Sequence, residues 1–245
     1  MLNAPTLERL TAMRLNAMAL AWEEQQSDAK IAEMSFDERM GLLVEAEWHN
    51  RENRRLKRTL RSAKLRIGEA CIEDIDYKPH RKLERTLIQQ LASCRWIDEK
   101  QNVLLCGATG TGKTYLACAL AQQACRRGKK ALYRRAPRLL DELRLARASG
   151  EYARHLQKLL KFDVLVIDDW AIAPLKEHER QDFLEVFEDR YGTRSTIVAS
   201  QLPPDKWHAY IGDPTVADAL CDRILHNAHR LMLKGPSRRK EAATK

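Results

Sequence analysis

The sequence lacks the features of a membrane or exported protein. No window approaches the ~18 uninterrupted apolar residues that a transmembrane helix needs. Glu8, Arg9 and Arg14 interrupt the apolar residues near the amino terminus, so the layout of a signal peptide is absent. The six cysteines form no Cys-x-x-Cys pair, and several lie in apolar stretches. We therefore expect buried thiols in a reducing cytoplasm, not disulfides or zinc ligands.

Glycine and proline are scarce in the first 70 residues. No glycine precedes Gly41, and no proline follows Pro5 in this stretch. Apolar residues recur at helical spacing, and the segment from Ser35 to Glu38 is a capping box that begins a helix. The pattern predicts an all-helical amino-terminal domain over residues 1–70, involved in oligomerisation or in binding a partner or DNA. The turn-forming segment that follows predicts a linker over residues 71–80.

Basic residues are unevenly distributed in a chain of net charge +9. Residues 1–50 hold four basic and nine acidic side chains, whereas residues 51–66 hold eight basic and one acidic. Residues 126–135 hold six basic and no acidic side chains. Such clusters are typical of proteins that bind a polyanion, although a solvated helix face is the simpler interpretation of one cluster. Aromatic residues, 6% of the chain, are not interleaved at stacking intervals with these cations, which favours duplex over single-stranded nucleic acid.

Helical segments alternate with short apolar strands from about residue 81 to the end. We predict strands over residues 102–106, 130–133, 163–169 and 195–200, and a late helix over 217–230. The run before Asp168 is continuously apolar, which is typical of a strand that is buried on both faces of a parallel sheet. Residues 81–245 are therefore predicted to form an α/β domain with a parallel sheet sandwiched by helices.

The segment from Gly107 to Thr114 is a phosphate-binding loop between a predicted strand and a predicted helix. Its glycines let successive backbone N–H groups point at one anion, and the helix that follows adds the positive end of its dipole. Lys113 is predicted to reach the β- and γ-phosphates of ATP, and the Thr114 hydroxyl to ligate Mg²⁺. The predicted nucleotide contacts are Gly107, Ala108, Thr109, Gly110, Thr111, Gly112, Lys113, Thr114 and Tyr115.

Three polar residues lie at or just after the carboxyl ends of two of the predicted strands. Asp168, about fifty residues after the loop, is predicted to hold Mg²⁺ opposite Thr114. Asp169 is predicted to orient or deprotonate the attacking water, the alternative being a residue that only caps or turns the chain. Gln201 is predicted to act as a polar sensor of the γ-phosphate, the alternative being an ordinary strand-to-loop transition.

Arg223 lies on a predicted amphipathic helix, far along the chain from the phosphate loop. Such an arginine can complete the active site of a neighbouring subunit, which makes Arg223 a candidate catalytic residue. The alternative is a surface ion pair with Asp218 or Asp222. The predicted DNA contacts are the basic residues Arg134, Arg135, Arg144, Arg147 and Arg154.

The chain resembles the IstB family, the AAA+ helper ATPases of insertion-sequence transposition, and more distantly DnaC-type helicase loaders. The resemblance covers nearly the whole length. It rests on residues 42–48, 51–55, 107–114, 166–169, 200–203, 217–223, 226–230 and 233–240. By this resemblance residues 81–245 are an AAA+ P-loop domain, Arg223 matches the arginine finger, and Arg239 approaches the nucleotide from the carboxyl-terminal tail.

The resemblance implies a protein that binds ATP, Mg²⁺ and double-stranded DNA and assembles with itself around shared ATP sites. It also implies recruitment and stimulation of a cognate transposase in the bacterial cytoplasm, without a membrane partner. Three alternatives stay open: a DnaC-like replicative helicase loader, a small-molecule P-loop kinase, and a DNA-architectural protein with a structural ATP site. A kinase would need neither an oligomer nor basic clusters, and an architectural protein would not need Asp169.

Overall fold

The computed structural model describes residues 4–77 and 83–237. Packing divides the chain into two compact units, Met1–Arg58 and Thr59–Lys245. The predicted boundaries, with an amino-terminal domain ending at residue 70 and an α/β domain beginning at residue 81, stay predictions. Residues 78–80 of the predicted linker lie outside the described part.

The first unit is helical, as its periodicity indicates. Its helices are α1 (Ala4–Ala12), α2 (Asn16–Ser27), α3 (Ala29–Ala32) and most of α4 (Phe36–Ala63). The capping box is formed: the Ser35 amide donates to Glu38 Oε2 at 2.9 Å, and the Glu38 amide donates to Ser35 Oγ at 3.3 Å. These bonds satisfy two backbone groups that would otherwise lack a partner, which defines where α4 begins.

A buried carboxylate joins α2 to α4 within this unit. Glu47 accepts hydrogen bonds from the amides of Ala17 and Met18, at 3.1 and 3.3 Å, and from Arg51 Nε at 2.9 Å. Burial opposes its ionisation, but the hydrogen bonds from Arg51 and the two amides hold the pKa of Glu47 below its ordinary value. Both carboxylate oxygens of Glu47 accept hydrogen bonds, and two of these bonds come from α2, so the contact holds α2 against α4.

The second unit alternates helices and strands. It contains α5 (Arg85–Ala92), α6 (Arg95–Asp98), β1 (Asn102–Gly107), α7 (Lys113–Arg126), β2 (Ala131–Arg135), α8 (Ala136–Ala148), α9 (Tyr152–Leu160), β3 (Val164–Trp170), α10 (Glu177–Arg190), β4 (Ser195–Ser200), a short 3-10 helix (Pro204–Lys206), α11 (Trp207–Ile211), α12 (Pro214–Leu225) and β5 (Ala228–Leu233).

The five strands form one parallel sheet in the order β2-β3-β4-β1-β5. The central strands are buried along almost their whole length, which explains their continuous apolar runs. Because the strands are parallel, the residues that follow β1, β3 and β4 lie at one edge of the sheet, its carboxyl edge. The predicted α/β fold is confirmed.

The predicted helix over residues 217–230 is wrong at both ends. The helix α12 begins at Pro214, where the Asp213 side chain accepts from the Val216 amide at 2.9 Å, and it ends at Leu225. Residues 228–233 instead form β5, a fifth strand that the periodicity did not reveal. Leu231 and Leu233 are buried while their neighbours are exposed, the alternation of an edge strand, and pairing with β1 outweighs local helical preference.

An aromatic cluster anchors the carboxyl end of β3. The Trp170 ring lies 4.7 Å from Phe183, 5.8 Å from Phe187, 5.5 Å from Trp207 and 5.8 Å from Tyr210, measured between ring centroids. Trp170 is fully buried. The cluster joins β3 to α10 and α11, and it holds the backbone that carries Asp168 and Asp169 in one position.

Candidate functional site

The predicted phosphate loop connects β1 to α7 at the carboxyl edge of the sheet. Gly107, Gly110 and Gly112 have φ values of 152°, 83° and 98°, a region that favours glycine. The Lys113 ammonium is largely buried, and its Nζ donates to the carbonyls of Gly107 and Ala108 at 2.7 and 2.8 Å. The loop therefore curls around the lysine at the amino end of a helix, the geometry that an anion-binding loop requires.

Close approaches of the chain also require glycine at two loop positions. A Cβ on Gly107 would lie 2.3 Å from the Leu233 carbonyl oxygen, and one on Gly110 would lie 2.1 Å from Ser237 Oγ. The segment after β5 thus lies directly against the loop. Arg239, which the resemblance places near the nucleotide, lies outside the described residues.

Thr114 and Asp168 meet across the edge of the sheet. Thr114 Oγ1 donates to Asp168 Oδ2 at 2.8 Å, although the two residues are 54 positions apart. The buried Tyr133 hydroxyl donates to the same oxygen at 2.7 Å, and the Asp169 amide donates to Asp168 Oδ1 at 2.9 Å. Burial and the neighbouring Asp168 raise the pKa of Tyr133, so its hydroxyl stays a donor. Tyr133 gave no sequence signal, because its role depends on the pairing of β2 with β3.

A β-bulge separates the two adjacent carboxylates. Ile167 pairs with Val198 but Trp170 pairs with Ser200, so β3 holds one extra residue between these points. Asp169 has a φ of 57°, in the left-handed region. Its Oδ2 accepts from Arg135 Nε at 2.6 Å and lies 3.9 Å from the Arg66 guanidinium. Asp169 thus faces β2, a direction that the sequence did not predict.

Gln201 contacts the phosphate loop as soon as β4 ends. Its Oε1 accepts a hydrogen bond from Thr109 Oγ1 at 2.7 Å, although 92 positions separate the two residues. Since β4 lies between β1 and β3, Gln201 extends from the strand next to the loop. The structure places it beside the predicted phosphate site, and its role as a sensor stays a prediction.

Tyr115, in the first turn of α7, points toward the segment after α4. Its hydroxyl lies 3.4 Å from both the amide nitrogen and the carbonyl oxygen of Cys71. Burial raises the pKa of Tyr115. Glu73 of the same segment is ion-paired with Arg126 at 2.7 Å. Residues 71–73 therefore pack on α7, and the predicted contact between Tyr115 and a nucleotide stays a prediction.

Arg223 lies at the opposite edge of the sheet from the phosphate loop. The Asn102 side chain, where β1 begins, donates to the carbonyls of Arg223 and Ile224 at 3.1 and 3.2 Å. Five residues of strand separate Asn102 from Gly107, about 17 Å at ~3.3 Å per residue. The Arg223 guanidinium is ion-paired with Glu188, not with Asp218 or Asp222. It lines a cavity of about 320 Å³.

The five predicted DNA contacts differ in how freely they reach the surface. Arg134 is only 13% exposed and pairs with Glu142 at 2.9 Å. Arg147 pairs with Asp182 and Glu185 and stacks on the Tyr152 ring at 3.6 Å. Arg135 is half-exposed, whereas Arg144 and Arg154 are mostly exposed, and their ion pairs with described residues are to acidic side chains three positions earlier.

A basic groove contains cations that the sequence analysis did not select. A cavity of about 700 Å³ lies at the amino edge of the sheet, and its lining includes Lys130, Arg154, His155, Lys158 and Lys161. Within the described ranges, none of the three lysines forms an ion pair. The sequence does contain a pattern that could have identified this groove. The spacing of residues 154, 158 and 161 places three cations on one face of α9 and the turn that follows it.

The described residues hold no cluster of three or more His, Cys, Asp or Glu side chains that could bind a metal. All six cysteines are free, five of them are buried, and burial raises the pKa of Cys94, Cys106, Cys118 and Cys125 to about 11. These thiols therefore stay protonated near neutral pH. Among the helices of the part that the structure describes, none has the length and apolarity to span a membrane.

Two solved structures of replication proteins, a DnaA and a DnaI, have a similar fold. A DnaA replication initiator bound to AMPPCP and single-stranded DNA aligns with a TM-score of 0.55 and 19% identity; the match covers 68% of this chain but only half of DnaA. DnaI aligns with a TM-score of 0.57 and 23% identity, over 69% of this chain and 90% of DnaI. At these identities the likeness shows the fold, an AAA+ P-loop domain.

Sequence comparison reaches a much nearer relative. An insertion sequence ATP-binding protein of Sinorhizobium fredii, y4pL, is 48% identical over 245 residues, which is the full length of both chains. The family model described as IstB-like ATP binding protein matches residues 8–245. The chain therefore belongs to the IstB-like ATP binding protein family, which confirms the family predicted from its motifs.

Proposed function

We propose that this protein is an ATP-dependent, DNA-binding regulator of transposition that hydrolyses ATP and assembles with itself on duplex DNA. On that DNA it recruits and stimulates its cognate transposase in the bacterial cytoplasm. The observation that carries the proposal is the 2.8 Å contact between Thr114 and Asp168, directly after a glycine-rich loop, in a member of an insertion-sequence family. Its relatives' description as ATP-binding proteins supports the choice of nucleotide.

The donor set fits ATP and Mg²⁺. The loop amides from Gly107 to Thr114 and the Lys113 ammonium would hold the phosphates. Thr114 Oγ1 and Asp168 Oδ2 are in contact, so one hydroxyl and one carboxylate are available at the same place. Mg²⁺ usually takes few ligands from the protein, because phosphates and water supply the others. Mg²⁺, when bound, would neutralise charge that develops on the phosphates. Tyr133 and the Asp169 amide hold the Asp168 carboxylate in place.

Asp169 and Gln201 are the residues that we assign to the attacking water. Asp169 would accept its proton, and Gln201 would help to orient it from the end of β4. The geometry of Gln201 supports this role, because Thr109 of the loop already donates to its side chain at 2.7 Å. Asp169 must first turn from β2 toward the loop.

We assign Arg223 to the active site of a neighbouring copy. Its backbone lies beside Asn102 at the amino edge of the sheet, and a strand length of about 17 Å separates Asn102 from Gly107, which places Arg223 away from phosphates held by the loop of its own chain. An arginine supplied from another subunit stabilises the charge of the transition state. ATP sites shared in this way would make hydrolysis depend on assembly.

DNA would bind through the cations that are free to reach phosphates. Arg135, Arg144 and Arg154 are exposed enough to do so, and Lys130, Lys158 and Lys161 of the basic groove supply further cations. Arg134 and Arg147 are occupied in ion pairs and support the fold of the same region instead. Such contacts are mostly blind to base sequence and sensitive to salt.

The amino-terminal unit has a surface suited to a protein partner. Phe36, Met40, Val44 and Trp48 recur every four residues along α4 and are 76%, 40%, 52% and 64% exposed. Aligned apolar side chains that remain exposed are typical of interaction sites. We assign this helical unit, predicted over residues 1–70, to contacts with the transposase or with other copies of the chain.

Mass photometry with and without duplex DNA, in ATP, ADP or no nucleotide, tests the proposal. Large complexes are expected only with ATP and DNA together. A particle that stays monomeric or dimeric in every condition would contradict assembly on DNA and favour the helicase loader or the kinase. Binding to purified transposase, compared with a replicative helicase, separates the regulator from the loader.

The Asp169→Asn variant tests the catalytic assignment. ATP affinity should be kept, whereas hydrolysis should fall by ~100-fold or more, since a positioned base contributes about that factor. An isotope-labelled phosphate-release assay measures the rate, and fluorescent ATP binding provides the control. Normal turnover in this variant would remove Asp169 from the catalytic assignment, whereas bound ATP with no turnover even in the wild type would support a structural ATP site.

A further inference from the structure

The cavity beside Arg223 is lined by an excess of cations. It has a volume of about 320 Å³ at the amino edge of the sheet, and Lys100, Arg190, Arg194 and Arg223 are among the residues that line it. Among the described residues of this lining, Glu99 is the acidic one. Four permanent positive charges against one carboxylate create a positive potential, which in a concave site favours a bound anion.

Arg190 is buried in the wall of this cavity without an acidic partner. It is 2% exposed, and its guanidinium donates to the Thr196 hydroxyl and to three backbone carbonyls at 2.6 to 3.1 Å. All four acceptors are neutral. Burial and the neighbouring Arg194 lower the pKa of Arg190 to about 9. A buried charge that lacks a counter-charge is costly, and an anion in the cavity would reduce that cost.

Lys100 and Arg194 are the cations of the cavity that remain available to a ligand. Both are partly exposed, and within the part of the chain that the structure describes neither forms an ion pair. Arg194 uses Nε and Nη1 on the carbonyls of Leu160 and Thr193, at 2.9 and 3.1 Å, which leaves Nη2. Lys100 has a φ of 57°, in the left-handed region, where a lysine persists only if its surroundings hold it and where functional residues are common.

We propose that this cavity is a phosphate-binding site for the triphosphate of ATP held by a second copy of the chain, with Lys100 and Arg194 acting beside Arg223. The inference deepens the proposed function and rests on it, because Arg223 is assigned there to a neighbouring site. A triphosphate carries several negative charges, whereas Arg223 is already paired with Glu188. Two further cations supply the charge that one paired arginine lacks, and arginine adds directional hydrogen bonds to phosphate oxygens.

Arg190 is a positioning residue in this arrangement. Its carbonyl acceptors are Leu159 and Phe162, at the end of α9, and Ser195, where β4 begins. It therefore fixes the turn that carries Arg194. Replacing Arg190 would leave these buried carbonyls without donors and destabilise the fold, so the tests use the partly exposed cations instead.

A free phosphate ion would be recognised by the same chemistry. The position of the cavity favours ATP of another copy over ATP of the same chain. Asn102, where β1 begins, lines the cavity, whereas the phosphate loop starts at Gly107, at the other end of that strand. The two tests below separate a free anion from the triphosphate of a second copy.

The first test asks whether the cavity binds phosphates. Inorganic tripolyphosphate is titrated into the full-length Lys113→Ala chain by isothermal titration calorimetry, so that the loop of the same chain contributes little. Adding Arg194→Ala or Lys100→Ala should weaken binding by about tenfold, the factor expected when a charged hydrogen-bond donor is removed. Arg127→Ala is the matched control, because Arg127 is an exposed cation outside the lining of the cavity.

The second test asks whether the phosphates belong to another copy. Mass photometry with duplex DNA and a non-hydrolysable ATP analogue gives the protein concentration at half-assembly. Arg194→Ala should raise this concentration by about five- to tenfold, while ATP affinity of the unassembled chain stays the same, and Arg194→Lys should recover most of the loss. A mixture of Arg194→Ala with Lys113→Ala should hydrolyse ATP faster than either variant, because each supplies the part that the other lacks.

The outcomes separate this inference from the function on which it rests. A wild-type chain that neither assembles nor hydrolyses ATP contradicts the proposed function itself. If the wild type does both, unchanged tripolyphosphate binding in Arg194→Ala and Lys100→Ala overturns the inference. Weaker tripolyphosphate binding with unchanged assembly and no recovery in the mixture also overturns it, because the cavity would then serve a free anion. An equal loss in Arg127→Ala would show that the effect is one of net charge.

Discussion

The two edges of the sheet differ in what they hold. At the carboxyl edge, groups far apart in sequence converge: Thr114 contacts Asp168, and Thr109 contacts Gln201. At the amino edge, Arg223 is paired with Glu188 beside the start of β1, with no phosphate loop nearby. The carboxyl edge holds the groups proposed to bind and hydrolyse ATP, whereas the amino edge holds Arg223 and the cations of the basic groove.

Under the proposed function, one chain would hold two complementary halves of a site. Parallel strands bring loop residues together at one edge of the sheet, and a residue at the other edge cannot cross the length of a strand to join them. A second copy can supply it. The comparison therefore makes oligomeric assembly a geometric requirement of the proposed mechanism.

Arg223→Ala, which changes the amino edge, should have the largest effect on ATP hydrolysis. Hydrolysis should fall by ~1,000-fold, the contribution of an arginine supplied in trans, while ATP affinity stays the same. Steady-state phosphate release and equilibrium ATP binding are the two measurements. If turnover stays within twofold of the wild type, Arg223 acts only as the surface partner of Glu188.

Mixing variants tests whether the two edges act between copies. Arg223→Ala keeps an intact carboxyl edge and Lys113→Ala keeps an intact amino edge, so a mixture should recover activity that neither variant has alone. Recovery is expected to peak near equal amounts. A mixture no more active than its components would show that each chain relies on its own arginine.

Lys113→Ala should have the second largest effect, confined to the carboxyl edge. The variant loses a charged hydrogen-bond donor at the phosphates, and ATP affinity should fall by ~10- to 100-fold. Isothermal titration calorimetry measures the loss, and Lys206→Ala, an exposed lysine outside the loop, provides the control. Unchanged affinity would remove Lys113 from the nucleotide site.

Glu188→Gln should have a small effect at the amino edge. The ion pair with Glu188 is partly exposed, so its loss should cost less than ~1 kcal/mol and should free Arg223 for a neighbouring site. The protein concentration that gives half-maximal hydrolysis should fall by about threefold. A rise in that concentration would mean that Glu188 positions Arg223 for use.

Prediction of local structure from the sequence succeeded where one short segment dictates its own conformation. Gly107–Thr114 has a spacing that itself dictates a tight loop before a helix, and the apolar run before Asp168 ends where a buried strand must end. The strand over residues 195–200 was predicted with its observed bounds, because continuous β-branched and apolar residues there have one low-energy solution in a parallel sheet.

Prediction was limited where partners are distant in sequence. Arg134 and Arg135 are adjacent and equally charged, yet one is buried against Glu142 and the other reaches Asp169. Strand residues alternate between the two faces of a sheet, so which acidic residue each arginine meets depends on the elements packed on that face. The fifth strand was missed for the same reason: it is stabilised by β1, more than 120 positions earlier.

The sequence alone determined the family, the phosphate loop and the position of Asp168, because these depend on short segments whose conformation follows from their own residues. The tertiary structure decided which way Asp169 turns, how far Arg223 lies from the loop of its own chain, and which cations reach the surface. Those properties follow from strand order and from ion pairs between distant segments, and such pairings are selected by the packing of the whole domain.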